Sequence, residues 1–122
     1  MAHKAQTDFC KFIAHKYPEY FFKKRVLDVG SRDINGNNKY LLQDCSYIGC
    51  DARPGPNVDL VCMAHQLDES MDKFDLIIST EMLEHDPHWK ESIRKCISLL
   101  NVGGAFLMTC ATTGRQIGRA HV

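Results

Sequence analysis

The chain has 122 residues, 44% of them apolar, and its 15 Lys plus Arg are balanced by 15 Asp plus Glu. That length allows one domain with a modest core, and the charge balance gives neither a nucleic acid nor a membrane surface an electrostatic reason to bind. The apolar runs are strand-sized, far short of a membrane span, and no uninterrupted apolar segment marks a secretory signal at the N-terminus, so the expected location is cytoplasmic. Cys10, Cys45, Cys50, Cys62, Cys96 and Cys110 form no C-x-x-C pair, and several lie in apolar runs. Reduced core thiols are therefore expected, not a metal or redox site.

In chain order, Thr7 and Asp8 offer a cap to a first helix with Phe9, Phe12, Ile13 and Tyr17 on one face, and Pro18 stops it. Val26, Leu27 and Val29 are the apolar run of a buried parallel strand, ended by Gly30 where the backbone must turn and admit a ligand with no Cβ in the way. The polar loop from Ser31 to Asn37 then leads into a short helix over 38–43, whose free N–H groups would face a bound molecule. Tyr47 to Cys50 make a second strand closed by Asp51, about 20 residues after the glycine, where an acid can accept hydrogen bonds from both hydroxyls of a ribose. Further strands are expected over 58–62, 74–79 and 105–110. Asp86 before Pro87 is a helix N-cap, with Trp89, Ile93, Cys96, Ile97 and Leu100 at helical spacing toward the sheet, and Asn101 to Gly104 end that helix. This alternation predicts an α/β fold, a Rossmann-like doubly wound and mostly parallel sheet of order 3-2-1-4-5. Its ligand crevice would lie at the carboxyl ends of the first and fourth strands.

The first turn separates two cofactor classes. A dinucleotide needs G-x-G-x-x-G, but Gly30 is followed by Ser31, Arg32 and Asp33, with the next glycine at Gly36. Asp28 would also repel a pyrophosphate and attract an ammonium or sulfonium. The strings VLDVGSRDINGN, YIGCDARPGPNVDLV, AHQL, FDLIISTEMLEHD and LLNVGGAFLMTCATTGR run in register from Arg25 to Arg115. In them the chain resembles the class I S-adenosylmethionine-dependent methyltransferases, of the methyltransferase type 11-like kind.

The resemblance implies S-adenosylmethionine as cofactor and methyl transfer to an unidentified acceptor, a small molecule or other, with no metal. It places Asp28, Gly30, Ser31, Arg32 and Asp33 around the methionine tail, Asp51 on the ribose, and Ala52 and Arg53 beside the adenine. Many relatives carry an acid where this chain has Met63. A thioether is a poor acceptor, so adenine recognition would fall to backbone groups of Met63, Ala64 and His65. Ser79, Thr80 and Glu81 would lie below the reacting centre, with Glu81, Glu84, His85 and Asp86 clustered at the crevice mouth. Among these His85 is the general-base candidate, with Glu81 beside it; a histidine that only shapes the loop is the competing reading. The family continues with two more strands, so the chain is expected to lack strands six and seven and to leave Ala105 to Cys110 as an unprotected edge. Residues 1–115 are then a partial methyltransferase domain, and Gln116 to Val122, which a sequencing adapter can encode, a non-native read-through tail. The alternatives are a nicotinamide oxidoreductase fragment and a non-catalytic nucleotide-binding fragment.

Overall fold

Five strands lie parallel, side by side: β1 (Arg25–Val29), β2 (Ser46–Asp51), β3 (Leu60–Val61), β4 (Phe74–Thr80) and β5 (Leu100–Thr112), in the order 3-2-1-4-5. This is the expected sheet. The computed structural model describes residues 4–34, 36–112 and 115–121, from 111 onward as backbone alone; Asn35 of the expected loop and Val122 of the expected tail lie outside the described residues. Val26, Leu27, Leu76, Ile77 and Ile78 are all buried, as parallel strands covered on both faces require. The two-residue period divides them. Val26, Leu76, Ile78 and Leu107 pack with Cys10 and Phe21 on one face, while Leu27, Val29, Ile77 and Phe106 pack with Cys96 and Leu99 on the other.

Both helices keep part of the expected apolar face toward the core, Phe9 and Ile13 in one and Ile93 and Cys96 in the other, and turn the rest outward. α1 (Lys4–Lys16) begins ahead of Thr7 and Asp8, and Asp8 pairs with Lys4 at 2.9 Å instead of capping it. Its buried positions are Gln6 and Cys10, while Phe12 is 58% exposed. α2 (Trp89–Ser98) starts after His88, and Asp86 stands just before it, accepting from the His88 N–H at 2.7 Å and from the Ser92 hydroxyl. That contact draws Ser92 and Cys96 inward and leaves Trp89 and Ile97 on the outside. Leu100, expected at the end of this helix, already pairs with Phe74 in the sheet.

The third strand shrinks to Leu60–Val61 because Asn57, with φ 69°, keeps the chain out of extended geometry just before it. Asn101 to Gly104 interrupt the sheet from within: Phe74 pairs with Leu100 but Leu76 pairs with Ala105, so the intervening residues bulge outward through Gly103 at φ 82°. A sixth strand corrects the expected edge. β6 (Arg115–His121) runs antiparallel to β5 from Phe106↔His121 to Thr112↔Arg115, so β5 is paired on both sides. Two residues, one of them Gly114, separate Thr112 from Arg115 in the sequence, the length and composition that favour a hairpin.

Candidate functional site

The chain turns at Gly30 with φ 79°, and a Cβ there would sit 2.7 Å from Cγ of Met82, so only glycine fits between the ends of β1 and β4. The N–H groups of Gly30 and Ser31 donate to the Cys50 carbonyl at 2.8 and 3.0 Å, tying this turn to β2. Ser31 Oγ donates to the Asn57 carbonyl at 2.6 Å, and Asn57 Nδ2 donates to the Ser31 carbonyl at 2.9 Å. Asp33 closes its own loop, accepting from Gly36 N–H and Asn37 Nδ2, each at 2.8 Å. The Asn37 bond above all, with the Gly36 bond, holds its carboxyl below the usual value. The helix expected over 38–43 is only a short 3₁₀ turn, Lys39–Leu41. Asn37 caps the Lys39 N–H and the Asn38 amide is drawn inward, so this turn does not present a free helix N-terminus to the site.

Asn38 points at Asp28. That carboxylate is 1% exposed and accepts from Tyr47 OH at 2.7 Å and Asn38 Nδ2 at 3.2 Å. Burial pushes its pKa up to about 6 against the pull of those two donors. Burial and the adjacent Asp28 likewise push the Tyr47 phenol up. Asn38 Nδ2 also donates to Thr80 Oγ1 at 3.1 Å, joining β1 to the end of β4. Beside this network lies a polar hollow of about 10 Å³, lined by Gln6, Asp28, Ser31, Asn38 and Thr80 among others.

A larger crevice of about 380 Å³ opens next to it and shares Gly30, Arg32 and Thr80 with the small hollow. Asp51 stands in its wall with both oxygens held: Oδ2 accepts from the Arg32 N–H at 3.1 Å, Oδ1 from the Arg53 N–H at 3.0 Å. Ala52, Arg53, Met63 and Ala64 continue that wall; Glu81, Met82, His85 and Asp86 form the opposite one. Glu81 adopts φ 55°, a left-handed backbone uncommon for its type, and its N–H donates to the Thr109 carbonyl at 2.9 Å.

Three expected residues line neither hollow. Ser79 is wholly buried within the sheet, Asp33 serves its own loop, and the His65 ring lies against His88 with centroids 4.3 Å apart. Nor does Glu84 line the crevice with its neighbours. The Met63 N–H, expected to face adenine, donates instead to Gln66 Oε1 at 3.0 Å, because a glutamine three residues on completes a capping box. Sequence reasoning missed Gln6, Asn38, Ile34, Cys50 and Cys62 as lining residues. Gln6 had one signal, a polar residue one turn before Cys10 on the apolar side of its helix; the others had none in their spacing.

Among the described residues no three His, Cys, Asp or Glu side chains gather as a metal-holding group, and no helix is long and apolar enough to cross a membrane. The described cysteines are free thiols, with Cys10, Cys50 and Cys96 buried as expected of core residues. Burial raises the Cys10 and Cys96 thiols to about 11 and about 12.

Solved structures share this fold. A Burkholderia thailandensis 1,6-didemethyltoxoflavin-N1-methyltransferase, with bound 1,6-didemethyltoxoflavin and S-adenosylhomocysteine, is similar at TM-score 0.69 and 20% identity, over 86% of this chain and 52% of its own. The N-methyltransferase NodS from Bradyrhizobium japonicum matches at TM-score 0.67 and 15% identity, over 87% of this chain and 68% of its own. A Clostridium acetobutylicum S-adenosylmethionine-dependent methyltransferase matches at TM-score 0.67 and 17% identity, over 88% and 51%. The chain thus spans about half the length of the first and third of these structures. A search of curated proteins gave no match. The family model described as a methyltransferase domain matches residues 1–119, a span that takes in every strand from β1 to β5 and all the residues lining the crevice, and the chain therefore belongs to that methyltransferase domain family.

Proposed function

We propose that the crevice binds S-adenosylmethionine and that the protein transfers its methyl group to a small molecule or other acceptor. The observation that carries this reading is the Asp51 carboxylate. Its two oxygens are fixed by N–H groups from the β1 turn and from the end of β2, which leaves a remaining lone pair on each for adjacent ribose hydroxyls. A volume of about 380 Å³ is in the range of small-molecule sites. The glycine cradle at Gly30 and the anionic Asp28 also fit a ligand that carries an ammonium and approaches the backbone closely.

In this reading Asp51 holds the ribose, Ala52 and Arg53 flank the adenine, and the Ala64 backbone with the Met63 side chain packs at its edge. Gly30 lets the tail pass, Arg32 offers a guanidinium to the carboxylate, and Asp28 faces the ammonium. Ser31, in the lining of the small hollow, lies beside the tail, while Asp33 and Asn57 hold the loop in shape around it. What the cofactor supplies there is a methyl carbon on a cationic sulfur, open to in-line attack. Thr80 and Glu81 position the acceptor, and His85, exposed at the mouth, takes its proton. Six thiols in a chain with this fold suit a reducing compartment, which supports a cytoplasmic setting. That the Burkholderia protein was crystallised with S-adenosylhomocysteine and a small-molecule acceptor supports the same ligand classes here. Titration calorimetry with S-adenosylhomocysteine and with NAD tests the reading: heat of saturable binding is expected from the first alone, and binding of NAD, or of neither, would overturn it.

A further inference from the structure

Gln6 is the least expected residue at the site. It lies in the first turns of α1, outside every motif strung between Arg25 and Arg115, yet it is 2% exposed while its neighbours Lys4, Ala5 and Asp8 face solvent. It lies one turn before the buried Cys10 on the same helix, and its Oε1 is buried with no partner. A buried unpaired amide oxygen is costly, and native structures retain few of them. Gln6 lines the polar hollow of about 10 Å³ that also touches Asp28 and Thr80. That is the room one water-sized group needs.

An ammonium is a group of that size, with three donors and a positive charge. The hollow supplies acceptors and a negative charge. Asp28 Oδ1 has only a long contact of 3.4 Å from Asn38, whereas Oδ2 accepts from both Tyr47 and Asn38, so Oδ1 is the underused oxygen. Thr80 Oγ1 already accepts from Asn38. Asp28 Oδ1 and Gln6 Oε1 are thus two acceptors with capacity for a cation, one of them charged. Because the hollow shares Gly30, Arg32 and Thr80 with the crevice, a ligand whose ribose sits at Asp51 can extend an amino-acid tail into it.

Resting on the reading of the crevice as a cofactor site, we infer that Gln6 is a cofactor-recognising residue: its Oε1 accepts a hydrogen bond from the α-ammonium of the amino-acid tail. Helix α1 is thereby part of the binding site, and the ligand satisfies an acceptor that the unliganded fold leaves unpaired. Two consequences separate this from a packing role. Replacing Gln6 by an apolar residue of similar shape removes the unpaired oxygen, so the unliganded protein should gain stability or hold it while losing affinity. The loss should also depend on whether the ligand carries an amine.

The experiment uses the full chain with Gln6→Met and, as a second variant, Gln6→Glu. Affinities are measured by calorimetry for S-adenosylhomocysteine, for S-adenosyl-3-thiopropylamine, which keeps the amine without the carboxylate, and for 5′-methylthioadenosine, which has neither. Gln6→Met is expected to weaken the two amine-bearing ligands by about ten- to a hundredfold, the range of one bond to a charged donor. It should leave 5′-methylthioadenosine within about twofold and the melting temperature of the unliganded protein unchanged or raised. Gln6→Glu, which keeps an acceptor at the same reach, should retain binding of both amines. Equal losses for all three ligands, or a lowered melting temperature with unaltered amine selectivity, would show that Gln6 only packs α1 and would overturn the inference while leaving the cofactor site standing. If the unaltered chain binds 5′-methylthioadenosine but not the amines, the tail placement is wrong; if it binds none of the three, the reading of the crevice itself fails.

Discussion

Asp28 ties affinity to pH. Its carboxyl is displaced by burial from 3.8 to about 6, and an ammonium placed against it favours the ionised form. Between those values the folded chain holds a proton that the unfolded chain has lost, so Asp28 makes folding progressively less favourable as pH rises from about 4 to about 6, with no further change above. The full displacement corresponds to about 3 kcal/mol. Cofactor binding runs the other way. If only ionised Asp28 accepts the tail, the competent fraction at pH 5 is about one in eleven, so S-adenosylhomocysteine should bind about tenfold more weakly at pH 5 than at pH 7.5, with affinity levelling off above pH 7. Near pH 6 binding should release about half a proton, which calorimetry in buffers of different ionisation enthalpy reads directly. Asp28→Asn should bind weakly at every pH and lose the slope. A dissociation constant constant within twofold from pH 5 to pH 7.5, in protein shown folded by circular dichroism at both ends, would refute the placement of a cation against Asp28.

Other residues give independent tests. Asp51→Ala should weaken S-adenosylhomocysteine by about 1.5 to 3 kcal/mol for each ribose bond lost, with little change in melting temperature; an unchanged affinity would remove Asp51 from the site. Gly30→Val forces a branched side chain into φ 79° and against Met82, so binding and stability should fall together, whereas Lys39→Ala on the exposed turn should alter neither. Ser92→Ala takes the hydroxyl from buried Asp86 and should lower stability by about 1 to 3 kcal/mol in urea unfolding without changing cofactor affinity. We further propose that residues 1–115 form the cofactor-binding unit and that 116–122 are a read-through tail, paired with β5 and outside that unit. Deleting 116–122 should then uncover the β5 edge and increase aggregation, with affinity within about twofold; a large loss of affinity in the remaining monomer would contradict it.

The parts of this fold that were legible in the sequence are those fixed by backbone and burial. Runs such as Val26 to Val29 and Leu76 to Ile78 could only be strands covered on both faces, and their alternation with helices set the order of the sheet. Gly30 and Asp51 were legible because a turn and a strand end determine where their backbones lie. Helix orientation was legible only in part: Phe9, Ile13, Ile93 and Cys96 of the expected stripes face the core, while Phe12, Trp89 and Ile97 do not. Ser92 follows Asp86 inward and leaves Trp89 outside, and Gln6 is buried on the face it shares with Cys10 while Phe12 is exposed. Ser79, Asp33 and His65 sit on the right segments with side chains placed elsewhere: Ser79 buried within the sheet, Asp33 held by its own loop, His65 against His88. The Met63 N–H could have been read correctly, since Gln66 at the third position of the turn marks a capping box. The pairing of β6 with β5 had its signal in Gly114, two residues of connection between segments able to pair.

In the proposed complex the cofactor lies at the carboxyl ends of β1, β2 and β4, with its ribose on Asp51 and its tail beside Asp28. Backbone amide chemical shifts of the ¹⁵N-labelled chain, followed during titration with S-adenosylhomocysteine, test it most directly. Saturable shifts are expected at Gly30, Arg32, Ala52, Ala64 and Glu81, with a further response at Gln6, and none at Phe22, which lines neither hollow. Shifts centred away from the crevice, or no saturable shift in folded protein, would contradict it.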